Sequence, residues 1–214
     1  ASRCARTCGS RSRRAYVECA VAPRGGQTRH SWQRTGRRLA EHGWSAYAVD
    51  ARGHGESQWA DDGDYSIAAH ARDVVDVAES LSEPPVLVGA SLGGMASLIA
   101  QATNPGLARA LVLVDITPRA EPEGLARIHS FMQRGLDGFD SLEDALHAVA
   151  AYNPHRRRPP RIEGLRKNLR QRDGRWYWHW DPRILTHREN SLNKPPPEKV
   201  THARRHVGST SRRY

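Results

Sequence analysis

The chain has 214 residues, a length that suits one domain with room for an inserted sub-domain. Hydrophobic residues make up 38% and the mean hydropathy is −0.71, so part of the chain is not expected to form core. No apolar run approaches the length of a transmembrane helix, about 18 residues, and the Arg-rich start lacks the apolar segment of a secretory signal. These patterns predict a cytoplasmic protein without a membrane span.

The formal net charge of +10 is carried by the two ends of the chain. Residues 1–30 have a net charge of +6, residues 183–214 have +6, and residues 31–182 have −2. Basic ends are typical either of solvated, poorly ordered tails or of contact with nucleic acid and other anionic surfaces. No DNA- or RNA-binding motif accompanies them, so we interpret them as tails.

The three cysteines, Cys4, Cys8 and Cys19, all lie near the N-terminus. Their odd number and the lack of a histidine cluster beside them argue against a disulfide framework and against a zinc site. We therefore predict neither a metal nor a cofactor from this part of the chain.

Strand and helix patterns alternate from residue 15 to residue 115. The predicted strands are 15–22, 45–49, 85–88 and 110–115, and the predicted helices are 31–42, 66–81 and 92–102, with a turn at 24–27. Apolar strands alternating with helices at this spacing are typical of βαβ units. We therefore predict an α/β fold with a parallel sheet and right-handed crossovers.

The alternation stops after Pro118. Residues 121–135 and 141–151 predict helices, and no strand pattern follows them, which indicates a helical lid and a sheet that is incomplete at the C-terminus. We therefore divide the chain into four segments. They are a basic, poorly ordered stretch at 1–14, the core at 15–117, the lid at 118–182 and a basic, Pro-rich, disordered tail at 183–214.

Ser91 stands in the sequence Gly89-Ala90-Ser91-Leu92-Gly93, between a predicted strand and a predicted helix. This setting predicts a nucleophile elbow, a strained turn that exposes the serine hydroxyl above the sheet. Small residues at 89 and 93 let strand and helix approach, and the helix start directs N–H groups at a developing oxyanion. The alternative is a Gly-rich turn with an idle serine, which the strand-to-helix context disfavours.

Two motifs in this order resemble the α/β-hydrolase superfamily. Residues 50–57, Asp-Ala-Arg-Gly-His-Gly-Glu-Ser, are similar to the family's Asp-x-Arg-Gly-His-Gly-x-Ser loop after its fourth strand. Residues 89–94 are similar to the elbow after its fifth strand, and the resemblance extends over 25–182. It implies an α/β-hydrolase core with a lid, and it makes His54 part of a structural loop rather than a general base.

The resemblance also implies roles for individual residues. Ser91 is the expected nucleophile, and the backbone N–H groups of Leu92 and Gly25 are the expected oxyanion-hole donors. Asp115, which ends a predicted strand, is either the acid of the triad or a turn residue before Pro118. No histidine is assigned, because the late ones lie in basic sequence without a preceding strand; they are His187, His202 and His206.

Serine at the nucleophile position implies a small-molecule acyl substrate, an ester, thioester or related carbonyl compound, and an acyl-enzyme intermediate. One alternative is a catalytically impaired hydrolase remnant that lacks the triad histidine. Another is a basic nucleic-acid-binding protein that uses the tails and the Arg-rich stretch at 156–170.

Trp176, Trp178 and Trp180 are expected either to line the acyl pocket or to pack the lid on the sheet. Nothing in the sequence indicates an oligomeric state.

Pro23 and Arg24 stand where the resembled family has His-Gly before its oxyanion donor. The family pattern is thus lost at both ends of the chain, where the Arg content rises. One hypothesis is that the basic ends are out-of-frame or foreign sequence joined to a hydrolase-like centre; the alternative is that they are native. The encoding DNA tests this, because the hypothesis requires a hydrolase-like strand or Gly-His motif in another frame.

Overall fold

The computed structural model describes residues 6–7, 17–116, 121–152, 154 and 161–186. The strands in these ranges are β1 (Arg6–Thr7), β2 (Val17–Ala22), β3 (Trp44–Val49), β4 (Val86–Ala90), β5 (Ala110–Val114), β6 (Leu169–Arg172) and β7 (Arg175–Trp178). The helices are α1 (Gln33–Glu41), α2 (Ile67–Glu79), α3 (Leu92–Thr103), α4 (Pro122–Gln133), α5 (Leu142–Tyr152) and α6 (Ile162–Arg166). A 3₁₀ turn at Arg29–Trp32 precedes α1. The predicted alternation between residues 15 and 115 is confirmed.

The main sheet has the strand order β1-β3-β2-β4-β5. Strands β2 to β5 run parallel, and β1 pairs antiparallel with β3. This arrangement confirms the predicted α/β class. Ala22 pairs with Gly89 and Ala90 pairs with Val114, so β2, β4 and β5 end at neighbouring positions on one edge. The carboxyl edge of a parallel sheet is where sites form in α/β proteins.

Helices α2 and α3 cover one face of this sheet. Helix α2 begins after Ser66, whose hydroxyl accepts a hydrogen bond from the Ala69 N–H at 3.1 Å. Ala71 of α2 packs with the fully buried Ala100 of α3, and Leu87 of β4 is 2% exposed beneath α2. This small-residue packing holds α3, and with it the turn that precedes α3, against β4.

The segment after residue 120 forms most of a separate hydrophobic core, to which Tyr65 also belongs. Its buried members include Met132 of α4, Phe139, Leu165 of α6, Trp178 of β7 and Ile184. The Phe139 and Trp178 rings meet edge-to-face with centroids 5.3 Å apart. A helix-rich unit therefore packs around aromatic side chains beside the sheet.

The prediction that no strand follows Pro118 is wrong. Strands β6 and β7 form an antiparallel hairpin in which Arg172 pairs with Arg175. Its two-residue turn is Asp173-Gly174, with φ of 50° and 77°, as a type I′ turn requires. The Asp-Gly dipeptide is the sequence signal that predicts this hairpin, but the unbroken aromatic run that follows hides the strand alternation.

Several predicted features lie outside the described residues: Cys4, Cys8, the stretch 156–158, His187, His202, His206 and most of the two basic ends. The disorder assigned to the ends and the incompleteness of the sheet stay predictions. Within the described ranges, β5 is an edge strand of its sheet. None of the helices in those ranges is both long and apolar enough to cross a membrane.

Candidate active site at the carboxyl edge of the sheet

Ser91 lies on the turn that joins β4 to α3, with φ 48° and ψ −112°. A non-glycine residue in so sparsely populated a region costs about 1–3 kcal/mol. The Ser91 N–H donates to the Val114 carbonyl at 3.0 Å, and the Ser91 carbonyl accepts from the Met95 N–H at 2.9 Å. The backbone is therefore held in the strained shape, whereas the hydroxyl has no hydrogen-bond partner in the described part of the chain.

Glycines make this turn sterically feasible. A Cβ at Gly89 would lie 2.5 Å from the Cα of Gly94, and a Cβ at Gly93 would lie 2.5 Å from the Ala22 carbonyl oxygen. Real Cβ atoms do not approach backbone this closely. The Gly-x-Ser-x-Gly spacing is therefore a requirement of the close contact between β4, α3 and the end of β2.

The two predicted oxyanion donors lie on either side of this contact. Leu92 is the first residue of α3, so its N–H has no intrahelical partner. Gly25 lies in a turn closed by the Gln27 N–H, which donates to the Arg24 carbonyl at 3.1 Å. This confirms the predicted turn at 24–27. The role of Leu92 and Gly25 as oxyanion donors stays a prediction.

Asp115 follows β5, with φ 55°. Its Oδ2 lies 2.6 Å from Nη2 of Arg24, and the two side chains are 58% and 42% exposed. The carboxylate that the sequence offers as the triad acid is thus paired with a guanidinium from the loop after β2. In the sequence, Arg24 stands out only as a departure from the pattern of the resembled family. Its pairing with Asp115 is not visible there, because the two residues are 91 positions apart.

The loop after β3, residues 50–57, is hydrogen-bonded throughout. His54 is fully buried, its Nε2 accepts from the Gly26 N–H at 2.9 Å, and its Nδ1 donates to the Arg52 carbonyl at 3.0 Å. Accepting at Nε2 fixes the proton on Nδ1. His54 therefore supports the glycine turn after β2, and both of its nitrogens are occupied.

Buried charges fix the rest of this loop. Asp50 is fully buried, forms an ion pair with Arg29 and accepts from the Glu56 N–H at 3.1 Å. Arg52 Nε donates to Asp73 of α2 at 2.6 Å. The hydrogen bonds to Asp73 raise the pKa of the Arg52 guanidinium above its ordinary value. The loop is consequently tied both to the 3₁₀ turn that precedes α1 and to α2.

Residues beyond β7 attach to the same loop. The Asp181 N–H donates to the Gly53 carbonyl at 2.8 Å, and the Asp181 carboxylate accepts from Tyr65 and from Arg183. Burial and the contact with Asp181 raise the pKa of Tyr65 to about 12. Burial opposes ionisation of Asp181, but the hydrogen bonds from Arg183 and Tyr65 outweigh it and lower its pKa. Asp181 is thus a buried carboxylate that anchors the helix-rich unit.

The tryptophans mainly fill the core of that unit. Trp178 is 8% exposed and Trp180 is 4% exposed, and Trp176 packs against the same cluster. Trp180 also approaches the glycine turn, where a Cβ on Gly26 would lie 4.0 Å from its Nε1. Of the two expectations for these residues, packing is the one that the burial supports.

No histidine in the described ranges hydrogen-bonds to the Ser91 hydroxyl. Burial lowers the pKa of His179, which lies 3.7 Å from Glu56, and that of His30, which lies beside Arg29. Neither histidine is bonded to the elbow. In the same ranges, no three His, Cys, Asp or Glu side chains are grouped so as to hold a metal ion.

Relatives were found both by sequence and by structure. The esterase Rv0045c of Mycobacterium tuberculosis is 35% identical over 164 residues, which are 73% of this chain and 54% of that protein. The 2-(acetamidomethylene)succinate hydrolase of Mesorhizobium japonicum is 34% identical over 110 residues, 51% of this chain and 38% of that enzyme. The chain therefore spans about half the length, or less, of these curated relatives.

Solved structures of similar fold superpose on this chain. An alpha/beta hydrolase from Novosphingobium aromaticivorans superposes with a TM-score of 0.71 at 24% identity, covering 88% of this chain and 68% of that one. The Mycobacterium tuberculosis esterase superposes with a TM-score of 0.60 at 31% identity, covering 80% and 60%. The sequence profile of the family described as alpha/beta hydrolase fold matches residues 24–178. This match covers most of the chain and includes both motifs, so the chain belongs to the alpha/beta hydrolase family.

Proposed function

We propose that this hydrolase acts on an ester, thioester or related small acyl substrate, with Ser91 as its nucleophile. The observation that carries the proposal is the strained Ser91 turn, with φ 48°, between β4 and α3. A fold tolerates such strain where the surrounding structure over-determines it, and these positions concentrate at active sites. The relationship to an esterase at 35% identity supports the same reaction class.

The reaction has two steps. The Ser91 oxygen attacks the substrate carbonyl as a base removes its proton, and collapse of the tetrahedral intermediate expels the alcohol or thiol, which takes up that proton. Water then attacks the acyl-enzyme, giving the carboxylic acid and restoring the serine hydroxyl. The N–H groups of Leu92 and Gly25 are proposed to hold the oxyanion in both steps, each worth about 10²–10³ in rate.

None of the histidines in the described ranges is hydrogen-bonded to the Ser91 hydroxyl. His54 is excluded as a base, because its Nε2 already accepts from Gly26 and its Nδ1 donates to Arg52. His187, His202 and His206 lie outside the described residues. We therefore assign Ser91 as nucleophile and leave the histidine unassigned.

A fluorophosphonate probe tests the assignment, because it reacts with a serine that a base activates. We expect the wild-type chain to be labelled and to hydrolyse 4-nitrophenyl butyrate, and Ser91→Ala to lose both activities. Ser80→Ala is the matched control, since the Ser80 hydroxyl is exposed at the end of α2 and donates to Val77. Labelling that persists in Ser91→Ala would refute the assignment.

A second candidate is a hydrolase-fold protein that keeps the elbow without its base, and it is favoured because no histidine among the described residues hydrogen-bonds to the Ser91 hydroxyl. The Arg24–Asp115 ion pair points the same way, because it occupies the carboxylate that a triad histidine would need. If this candidate is correct, we expect the fluorophosphonate probe not to label the folded wild-type protein under conditions in which it labels a control serine hydrolase.

A further inference from the structure

We propose that Arg24 is a specificity-determining residue that binds a carboxylate on the acyl part of the substrate; this rests on the hydrolase function proposed for Ser91. The strand order places β4 between β2 and β5. Arg24 follows β2, Ser91 follows β4 and Asp115 follows β5. The ion pair between Arg24 and Asp115, 2.6 Å long, therefore joins the two flanking strands across the end of the strand that carries Ser91.

The register brings these three residues to the same level. Ala22 pairs with Gly89 and Ala90 pairs with Val114, so each of the three follows its strand end within one or two residues. The Ser91 N–H also bonds to the carbonyl of Val114, the residue before Asp115. A guanidinium held by Asp115 consequently lies beside the position where an acyl group on Ser91 would sit.

The ion pair is open to exchange. Its side chains are 42% and 58% exposed, and exposed pairs of this kind contribute only about 0–1 kcal/mol. A carboxylate on the substrate can replace Asp115 as the partner of Arg24 at little cost, with two parallel N–H···O bonds. Asp115 then serves to hold the guanidinium in place between turnovers.

Arg24 differs in this respect from the other arginines beside the sheet edge. Arg29 is paired with the fully buried Asp50, and Arg52 forms bonds with Asp73 at 2.6 Å and with the Asp64 carbonyl at 3.1 Å. Their side chains are 15% and 12% exposed. Within the described residues, Arg24 is the guanidinium that joins the strand ends on either side of Ser91 and is also accessible to a ligand.

The experiment compares monoethyl succinate with its uncharged analogue ethyl butyrate, using acid release in a pH-stat. We expect kcat/KM to favour the succinate ester in wild type. Arg24→Gln should lower that preference about tenfold or more, the effect of a lost charge-assisted hydrogen bond, mainly through KM. Arg24→Lys should retain part of the preference, and Asp115→Asn should lower KM for the succinate ester because Arg24 loses its competing partner.

Arg37→Gln is the control, since it removes the same charge from an exposed position of α1. A preference that is unchanged in Arg24→Gln overturns the proposal. Equal acceleration of the hydrolysis of both esters in Arg24→Gln also overturns it, because Arg24 would then only obstruct access to Ser91. Failure of wild type to hydrolyse either ester contradicts the hydrolase function instead.

If the wild type hydrolyses neither ester, saturation-transfer NMR of monoethyl succinate with the Ser91→Ala protein tests carboxylate binding by itself. Binding to Ser91→Ala that is lost in the double variant Ser91→Ala, Arg24→Gln supports the carboxylate site. Binding that is absent from the start, or that survives Arg24→Gln, overturns it.

Discussion

The loops after β3 and β4 show opposite ways of using polar residues at one sheet edge. In the loop after β3, Asp50 and His54 are fully buried and each forms several hydrogen bonds. In the turn after β4, the Ser91 backbone is strained and its hydroxyl has no bonded partner among the described residues. Buried polar groups whose bonds are all made stabilise the fold, whereas the Ser91 hydroxyl contributes no such bond within the described residues.

The two loops are also physically linked. The Nε2 atom of His54 accepts from Gly26, which belongs to the glycine turn that faces the elbow. The Ala22 carbonyl, just before that turn, is the group that a Cβ on Gly93 would strike. The bonded loop therefore positions the backbone against which the strained turn is built.

The largest expected effect comes from breaking the bonded loop. Asp50→Asn removes one charge of a buried pair and leaves the Arg29 guanidinium, 15% exposed, without its counter-ion. Such a change costs about 3–5 kcal/mol. Urea unfolding should show this loss, and the exposed Asp62→Asn should change the free energy of unfolding by less than about 0.5 kcal/mol. A loss below about 1 kcal/mol at Asp50 would mean that the buried pair does not hold the loop.

A smaller effect is expected at the contact that supports the elbow. Gly93→Ala places a Cβ 2.5 Å from the Ala22 carbonyl oxygen, and overpacking of this kind costs about 1–3 kcal/mol. Urea unfolding measures the loss, and probe labelling of Ser91 should fall with it. Gly164→Ala is the control, because a Cβ there meets nothing within 4 Å. Equal stability of the two variants would contradict the steric role of Gly93.

The smallest expected effect is a gain in stability. Ser91→Gly removes the side chain from a residue at φ 48°, which should stabilise the fold by about 1 kcal/mol while abolishing labelling. Ser91→Ala keeps the Cβ and should not show the gain. Thermal unfolding of the two variants checks the difference. Equal melting temperatures would mean that the turn does not store strain.

Local sequence was enough to predict the alternating strands and helices between residues 15 and 115 and the strand-to-helix turn at Ser91. The helix predicted at 66–81 is observed as Ile67–Glu79, and the strand predicted at 85–88 as Val86–Ala90. Periodicity and capping act over a few residues, so a short stretch of sequence contains them. The strand patterns do not predict the hairpin of β6 and β7, even though its Asp173-Gly174 turn signal is equally local.

The pairings at the sheet edge could not be predicted in the same way. Arg24 meets Asp115 only because the strand order places β2 and β5 on either side of β4. Tyr65 likewise meets Asp181, 116 residues away, only when the helix-rich unit packs beside the loop after β3.

The sequence by itself thus determined the family, the parallel α/β order and the position of Ser91 on a strand-to-helix turn, because each depends on neighbours in the chain. Tertiary structure alone decided which charge lies beside that turn, and it left Asp115 bonded to Arg24. The physical reason is that the strand order, rather than separation along the chain, sets the distance between side chains at the edge of a sheet.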